Sequence, residues 1–200
     1  MEGVDFEREL LARVAAGDEA AFEELISRHQ KRLLHLCERL LGDADAARDA
    51  VQEVFLRVWT RAGRYRPRGQ VYTWLYRIAV NYCLNRLRRR KVVRFLRLAA
   101  PGGDDSAPGE SSVEPVDGGA DPVSALESRE RWAQTRRAID ALPAGQRAVL
   151  VLARVEGLSY RQVADVLEIT VGAVESRLFR AMRTLENDLG ASRTREGTRE

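Results

Sequence analysis

The stretch of sequence that decides the fold is residues 160–185, YRQVADVLEITVGAVESRLFRAMRTL. Its apolar residues recur at helical spacing on both sides of the short segment EIT, a pattern typical of a helix-turn-helix. The first helix is expected to face inward with Val163, Ala164 and Leu167. The second is expected to face inward, at spacings of four, three and four residues, with Val174, Leu178, Ala181 and Leu185.

The opposite face of the second helix carries small residues and arginines. In a helix-turn-helix the N-terminal part of the second helix enters the major groove, where arginine binds guanine or phosphate and serine donates to either. The candidates on this open face are Ala173, Ser176, Arg177, Arg180 and Arg183. The alternative is a helical hairpin whose charged face is simply solvated. A predicted capping box of Ser159 with Gln162, the short turn, and the small residues Gly172 and Ala173 favour DNA binding.

Glu175 lies among the residues that would face DNA, where a negative charge weakens electrostatic binding. Its carboxylate can also accept a hydrogen bond from cytosine N4, or pair with neighbouring arginines and hold their side-chain conformations. The sequence leaves these roles of Glu175 open.

Helical periodicity recurs along the rest of the chain and strand signals are almost absent, so the fold class is expected to be all-α. Asp18 and Asp43 stand where helix N-caps are expected, and Gly42 stands where a helix ends. Two small helical domains joined by a flexible acidic linker are expected. The boundaries are a helical bundle at 1–97, the linker at 98–121, a helix-turn-helix domain at 122–190 and a disordered tail at 191–200.

The charge distribution supports this division. Arg61 to Arg97 contain twelve Arg or Lys residues and no acid, whereas Leu98 to Ser128 contain seven acids and no basic residue. Residues 99–125 hold four of the six prolines and no aromatic residue, a composition that cannot offset the entropy of ordering. As a coil, this linker would separate its ends by roughly 30 Å. It could therefore hold two DNA-contacting domains one or more duplex turns apart.

The basic segment contains a row of amides and arginines on one predicted helix. Asn81 and Asn85 are one turn apart, and Arg88 and Arg89 continue the row. Amides that read base edges beside arginines that bind phosphate suit duplex recognition, and solvated surface is the alternative. Four aromatic residues precede or begin this helix: Tyr65, Tyr72, Trp74 and Tyr76. They can stack unpaired bases, but they also fit a hydrophobic core.

The segment DAVQEVFLRVW, residues 49–59, places Asp49, Gln52 and Glu53 on a polar ridge of an otherwise amphipathic helix. Physical chemistry alone makes such a ridge a solvated helix face. The residues expected to point into the core from this helix are Ala47, Val51, Val54, Phe55 and Val58.

Several function classes are not expected. Cys37 and Cys83 fall in apolar helical patterns, which predicts two buried free thiols, and His29 and His35 fall on different helix faces, which disfavours a metal site. We find no catalytic triad, metal cluster or phosphate-binding glycine loop, so we expect no enzyme activity, cofactor or small-molecule substrate. The acidic start lacks a signal peptide and no run of about 18 apolar residues predicts membrane insertion, so a cytoplasmic protein is expected.

Three segments taken in order carry a family likeness. They are AFEELISRHQKRLLHLCERLLGDADAARDAVQEVFLRVW, then TWLYRIAVNYCLNRLRRRK and, after the linker, ALPAGQRAVLVLARVEGLSYRQVADVLEITVGAVESRLFRAMRTLE. Together they resemble an extracytoplasmic-function sigma factor of the sigma-70 family, over residues 5–97 and 122–190. The resemblance implies a protein that is not an enzyme, binds core RNA polymerase and directs it to promoter DNA. The alternative is a stand-alone helix-turn-helix DNA-binding transcription regulator.

The resemblance also implies roles for individual residues. Docking of core polymerase, through the coiled coil of its β′ subunit, is implied for Asp49, Gln52, Glu53 and Val54. Binding of the promoter −10 element, with a loop that captures a flipped base, is implied for Arg64, Tyr65, Asn81, Asn85, Arg88 and Arg89. Binding of the −35 element is implied for Ala173, Glu175, Ser176, Arg177, Phe179 and Arg180. The −35-reading domain would also touch the β flap.

Further partners and departures follow from the same resemblance. An anti-sigma factor is expected to hold the two domains inactive, and the acidic linker is expected to follow the RNA path of the polymerase and imitate nascent RNA. Family members often carry Lys or Arg at the position of Glu175 and Arg at that of Met182. The general role is therefore expected to hold, while the preferred −35 sequence stays open. No further C-terminal domain is expected.

Overall fold

The computed structural model describes residues 2–65, 70–99 and 122–196. Every regular element in these ranges is helical, which confirms the all-α prediction. The helices are α1 Glu2–Ala15, α2 Glu19–Leu41, α3 Ala44–Arg61, α4 Val71–Ala99, α5 Pro122–Ala141, α6 Ala144–Leu150, α7 Tyr160–Leu167 and α8 Val171–Glu196. A short 3₁₀ turn follows α3 at Ala62–Arg64, and a π-helical turn at Val151–Val155 continues α6.

Local capping chemistry sets the ends of α2 and α3. The Asp18 side chain accepts from the backbone N–H of Ala21, and Asp43 accepts from that of Ala46. These bonds satisfy N–H groups that have no partner inside the helix and lower the pKa of both carboxyls. Gly42 ends α2 in the left-handed conformation, with φ of 71°. All three predicted helix boundaries are confirmed.

The first four helices form the N-terminal bundle, in which α2 packs against α1, α3 and α4. The stripes predicted for α2 and α3 enter the core as expected. Five residues from these helices that are completely buried are Leu25, Leu36, Ala47, Val54 and Val58. Cys37 of α2 and Cys83 of α4 are buried free thiols, as predicted. The hydrogen bond with Cys37, together with burial, raises the pKa of the Cys83 thiol and keeps it protonated.

Helices α5 to α8 form the C-terminal bundle, with α8 packed against α5, α6 and α7. Ser159 and Gln162 make the predicted capping box at the start of α7. Thr170 Oγ1 accepts from the Ala173 N–H and caps α8. Between the two helices, Glu168 takes the left-handed conformation with φ of 55°, which turns the chain. The inward residues of α8, namely Val174, Leu178, Ala181 and Leu185, are buried as predicted.

Two boundaries differ from the sequence prediction. Helix α4 runs to Ala99, so the first two residues of the predicted linker are helical. Helix α8 runs to Glu196, so residues 191–196, predicted as a disordered tail, are helical too. The rest of the predicted linker, and with it the idea that it imitates RNA, lies outside the described residues. Leu98 and Ala99 are apolar residues that extend α4, and Gly190, a residue type that often ends a helix, lies inside α8 instead.

The sequence left open how the two bundles pack against each other. In the structure they are in contact: α7 packs on α4, and α6 packs on α2 and α4. Their buried residues belong to one hydrophobic core cluster. The composition of the linker does not impose either contact or separation, so the packing energy between the bundles decides the arrangement.

Candidate nucleic-acid interface

The open face of α8 carries the residues assigned to −35 DNA. Glu175, Ser176, Phe179 and Arg180 are exposed, and Phe179 keeps 67% of its surface accessible. An exposed aromatic ring on a groove-facing helix can contact a thymine methyl group. Two of these residues make bonds within the helix: Ser176 Oγ donates to the Gly172 carbonyl and Arg180 Nε donates to the Ser176 carbonyl. This face is therefore available to a ligand.

Ala173 and Arg177 differ from the rest of this set because both are only half exposed. A Cβ added at Gly145 of α6 would lie 3.5 Å from Arg177 Nη1, so the guanidinium lies beside the first turn of α6. Arg177 thus lies at the border between the α6 contact and the open face.

The carboxylate of Glu175 is exposed on the first turns of α8. Within the described ranges it forms no ion pair with an arginine, which leaves the pairing role suggested by the sequence without support in this arrangement. The side chain points to solvent, where it is free to meet a ligand.

Helix α4 displays the amide and arginine row assigned to the −10 element. Asn81, Asn85, Arg88 and Arg89 are all exposed. The Arg88 Nη1 atom donates to Asn85 Oδ1 at 3.1 Å, so the first arginine of the row orients the second amide. The opposite face of the helix packs into the core through buried residues such as Ala79 and Cys83, so the row of amides and arginines faces outward.

The loop residues assigned to flipped-base capture follow the 3₁₀ turn. Arg64 is exposed, while Tyr65 is half-buried with its ring centroid 5.5 Å from that of Trp74. This edge contact places Tyr65 against the N-terminal bundle. The neighbouring residues 66–69 lie outside the described part of the chain.

The polar ridge on α3 is accessible. Gln52 is exposed, and the side chains of Asp49 and Glu53 keep 64% and 38% of their surface accessible. Asp49 pairs with Arg86 of α4 at 3.4 Å and Glu53 with Arg57 at 2.7 Å. Exposed ion pairs of this kind contribute little to stability, so both carboxylates can leave these arginines and bind groups of another molecule.

Val54 was assigned to the same ridge by resemblance, and this assignment is wrong for direct contact. Its side chain is completely buried in the N-terminal bundle, so no partner can touch it. Sequence reasoning instead missed Leu56, which is 61% exposed and lies one turn beyond Gln52 and two beyond Asp49 on the ridge. The available signal was that Leu56 falls outside the inward apolar stripe of α3.

A second set of residues missed from the sequence lies between the bundles. Glu156, just after the π-helical turn, has a side chain only 6% exposed and contacts two arginines of α2. Its other partner is Tyr76, whose pKa is raised by burial and by the hydrogen bond to Glu156. Tyr76 is therefore a core residue in this arrangement, and its hydroxyl is engaged.

The described residues contain neither a metal-binding cluster nor a membrane-spanning helix. No group of three or more His, Cys, Asp or Glu side chains in these ranges could hold a metal ion. None of the helices in the same ranges has the length and apolar content needed to cross a membrane. His29 is buried beside Glu7, with burial lowering the pKa of its imidazole.

Family models match both bundles. The model described as Sigma-70 region 2 matches residues 25–92, and that described as Sigma-70, region 4 matches residues 132–185. Among curated proteins, the RNA polymerase sigma-H factor of Pseudomonas aeruginosa is 34% identical over 189 residues, which cover 92% of this chain and 93% of the relative. The ECF RNA polymerase sigma-E factor of Escherichia coli is 34% identical over 183 residues, covering 89% and 91%.

Solved structures give the same likeness. CnrH, solved in complex with the cytosolic domain of CnrY, is 28% identical with a TM-score of 0.62, covering 92% of this chain and 97% of CnrH. The sigma factor RpoE of Bartonella quintana, solved with the anti-sigma factor NepR, is 22% identical with a TM-score of 0.64, covering 84% and 96%. The second likeness bears on the fold alone.

Proposed function

Because the chain belongs to the sigma-70 family, in its extracytoplasmic-function group, we propose that it binds core RNA polymerase and starts transcription at promoters whose −35 and −10 elements it reads. The observation that carries the proposal is the joint exposure of two DNA-type surfaces, one in each bundle. Each surface lies in a segment that matches the family model of a different sigma-70 region.

The −35 element is read by the open face of α8. Ser176, Phe179 and Arg180 supply a hydroxyl, an apolar ring and a guanidinium, which are groups that recognise base edges and phosphates. Ala173 and Arg177 border this face. The domain that carries it spans residues 122–190 and also contacts the β flap of the polymerase.

The −10 element is read by the bundle at residues 1–97. Asn81 and Asn85 contact base edges, while Arg88 and Arg89 bind the backbone of the same DNA. Arg64 and Tyr65 border the loop that takes up a flipped base. The orientation of Asn85 by Arg88 supports this division of roles.

Core polymerase binds the ridge on α3. Asp49, Gln52 and Glu53 provide a charged and polar rim, and the exposed Leu56 provides an apolar contact within it. An apolar residue that a partner covers, surrounded by a polar rim, is usual for protein interfaces. The partner surface is the coiled coil of the β′ subunit.

The chain works by binding, without catalysis, cofactor or small-molecule substrate of its own. Its place of action is the cytoplasm, where RNA polymerase works. A further protein partner, an anti-sigma factor, keeps the chain from polymerase. The structural relative CnrH was solved with a domain of another protein, CnrY, which supports a partner of this kind.

Transcription with purified components tests the proposal. Adding the protein to core polymerase on genomic DNA is expected to produce discrete RNA 5′ ends, each preceded by a common pair of −35 and −10 sequences. Core polymerase alone is the control. The absence of specific RNA with any bacterial core would sink the proposal. A tight gel shift of duplex DNA without polymerase would favour the stand-alone regulator instead.

Replacing Glu175 with arginine is expected to change the order in which promoters with different −35 elements are used. The exposed carboxylate meets base edges, and one well-placed contact of this kind discriminates bases by about 1–3 kcal/mol. The ratio of output between promoter variants is therefore expected to shift by about fivefold or more, measured by run-off transcription from a library of −35 sequences.

Glu186→Arg is the matched control, because Glu186 is also exposed on α8 but lies three turns further along. Both variants gain the same charge and the same general attraction for DNA. If Glu175→Arg raises overall output and leaves the promoter ranking like that of Glu186→Arg, the carboxylate is electrostatic background rather than a specificity residue.

A further inference from the structure

Two arginines connect the polar ridge of α3 with the amide and arginine row of α4. Arg86 of α4 donates from Nη2 to Asp49 Oδ2 at 3.4 Å, and Arg57 of α3 donates from Nε to Glu53 Oε1 at 2.7 Å. Asp49 and Glu53 are the two carboxylates assigned to core polymerase. In the free chain, each of these carboxylates is therefore already paired with an arginine.

Tyr82 of α4 joins the two ion pairs. Arg86 Nη1 donates to the Tyr82 hydroxyl at 3.4 Å, and the Arg57 guanidinium lies 5.0 Å from the centroid of the Tyr82 ring. Both hydrogen bonds of Arg86 are longer than the usual range of about 2.7–3.2 Å, so both are weak. The Arg86 guanidinium is thus shared between a hydroxyl and a carboxylate, and neither holds it firmly.

Arg86 lies at the edge of the amide and arginine row. It directly follows Asn85 in sequence and lies three residues before Arg89, and residues three apart are neighbours on a helix surface. Its side chain keeps 30% of its surface accessible, so other molecules can reach it. A DNA strand bound along the row would therefore bring its phosphates next to the Arg86 guanidinium.

A phosphate is a better partner for Arg86 than Asp49 is. The Asp49 side chain is 64% exposed, and exposed ion pairs of this kind shift an equilibrium by about fivefold at most. Arginine can bind a phosphate through two parallel N–H bonds, whereas it gives Asp49 a single long one. The neighbouring Arg88 and Arg89 are exposed and add positive charge that a phosphate neutralises. DNA can therefore displace Asp49 from Arg86.

The carboxylate of Asp49 has two competing uses. A basic group of a protein partner that binds this carboxylate takes it away from Arg86, and the freed guanidinium is then available to DNA. The exchange leaves no charge buried without a partner, because both side chains are partly in water. The ion pair can therefore open without damage to the core of the N-terminal bundle.

We propose that Arg86 is a further DNA-binding residue of the −10 site, which binds a backbone phosphate and which Asp49 holds back in the free chain. The proposal rests on the proposed function for the positions of polymerase and −10 DNA. The competition between Asp49 and phosphate for Arg86 does not depend on that function. Since coupling between two binding events is reciprocal, a DNA strand that takes Arg86 also frees Asp49 for polymerase.

Binding of single-stranded DNA by the free protein tests the competition. The probe is a fluorescent oligonucleotide of random sequence, because a phosphate contact does not depend on the bases. Asp49→Ala is expected to raise the affinity about two- to fivefold, since it frees Arg86 from an exposed ion pair. The plot of log affinity against log salt is expected to steepen by roughly 0.7, as for one added phosphate contact. Fluorescence anisotropy measures both quantities.

Asp45→Ala is the matched control, because Asp45 is also an exposed carboxylate of α3 and pairs with Arg48 of the same helix. Both variants lose one negative charge and free one arginine, but only Asp49→Ala frees the arginine beside the row. In the Arg86→Gln background, Asp49→Ala is expected to bring no further gain. The proposal is overturned if Asp49→Ala gains no more than Asp45→Ala, or if its full gain persists in the Arg86→Gln background.

Core binding and transcription separate a role in DNA binding from a structural role. Arg86→Gln leaves Asp49 without a competitor, so its affinity for core polymerase is expected to rise, by up to about fivefold. Run-off transcription at saturating core is expected to fall about twofold or more. The control is Arg28→Gln, which loses an exposed pair with Glu24 on α2 and is expected to match the parent protein. If Arg86→Gln lowered core affinity and transcription together, Arg86 would support the fold and the proposal would fail.

The two assays also distinguish this proposal from the proposed function. If no variant, the parent protein included, supports transcription, the proposed function fails. The oligonucleotide measurement still decides in that case whether Asp49 and phosphate compete for Arg86.

Discussion

Reversing two charges on α3, with Asp49→Arg and Glu53→Arg together, is expected to abolish binding to core RNA polymerase while the helical fold is kept. Both carboxylates are accessible and lie one turn apart on the ridge. Like charges placed against each other across an interface cost several kcal/mol, so affinity for core is expected to fall at least about a hundredfold. Fluorescence anisotropy of labelled protein with core polymerase measures this loss.

The fold is expected to tolerate this change. The two carboxylates lose only the exposed pairs with Arg86 and Arg57, and pairs of this kind are worth little. The matched control is Glu19→Arg with Glu23→Arg, which reverses two exposed carboxylates at the same spacing on α2. The docking assignment would be refuted if the Asp49 and Glu53 variant bound core polymerase as tightly as the control variant does, with unchanged circular dichroism.

Removing both amides from α4, with Asn81→Ala and Asn85→Ala, is expected to reduce promoter-specific transcription at least about thirtyfold. Each well-placed amide contact to a base is worth about 1–3 kcal/mol, and two such contacts are lost. The row is exposed and the helix core is untouched, so stability changes little. Run-off transcription at saturating core polymerase measures the loss, and core affinity is expected to stay unchanged.

The control for the amides is Asn187→Ala, because Asn187 is an exposed asparagine on α8 beyond the turns proposed to read the −35 element. It is expected to transcribe like the parent protein. A promoter library with varied −10 sequences sharpens the test, because the double variant should also discriminate poorly between them. If the double variant matched Asn187→Ala both in its level of transcription and in its discrimination between −10 sequences, the two amides would not be the residues that read this element.

The local structure could be predicted where it depends on neighbours in sequence. Asp18 and Asp43 cap helices because their side chains reach N–H groups three residues ahead, and Gly42 ends α2 because it enters the left-handed conformation without a Cβ clash. The helix-turn-helix followed from the spacing of apolar residues at helical period. The exposure of Asn81 and Asn85 followed from the same period, since residues four apart share a face.

The wrong predictions concern features that the local sequence pattern did not reveal. Val54 follows three ridge residues in sequence and was grouped with them by resemblance, although its own position in the helix turns it into the core. Residues 191–196 continue α8 despite a polar composition, because Gly190 stays inside the helix and does not end it. The π-helical turn at Val151–Val155 had no recognised signal at all.

The sequence by itself determined the helices, their caps, the inward stripes and the family to which they belong, because each of these depends on spacing within one segment of chain. Only the tertiary structure decided that the two bundles touch and that Glu156 is buried between Arg39 and Tyr76. Those features depend on residues about 80 or more positions apart, whose proximity is set by the packing of whole helices rather than by any local pattern.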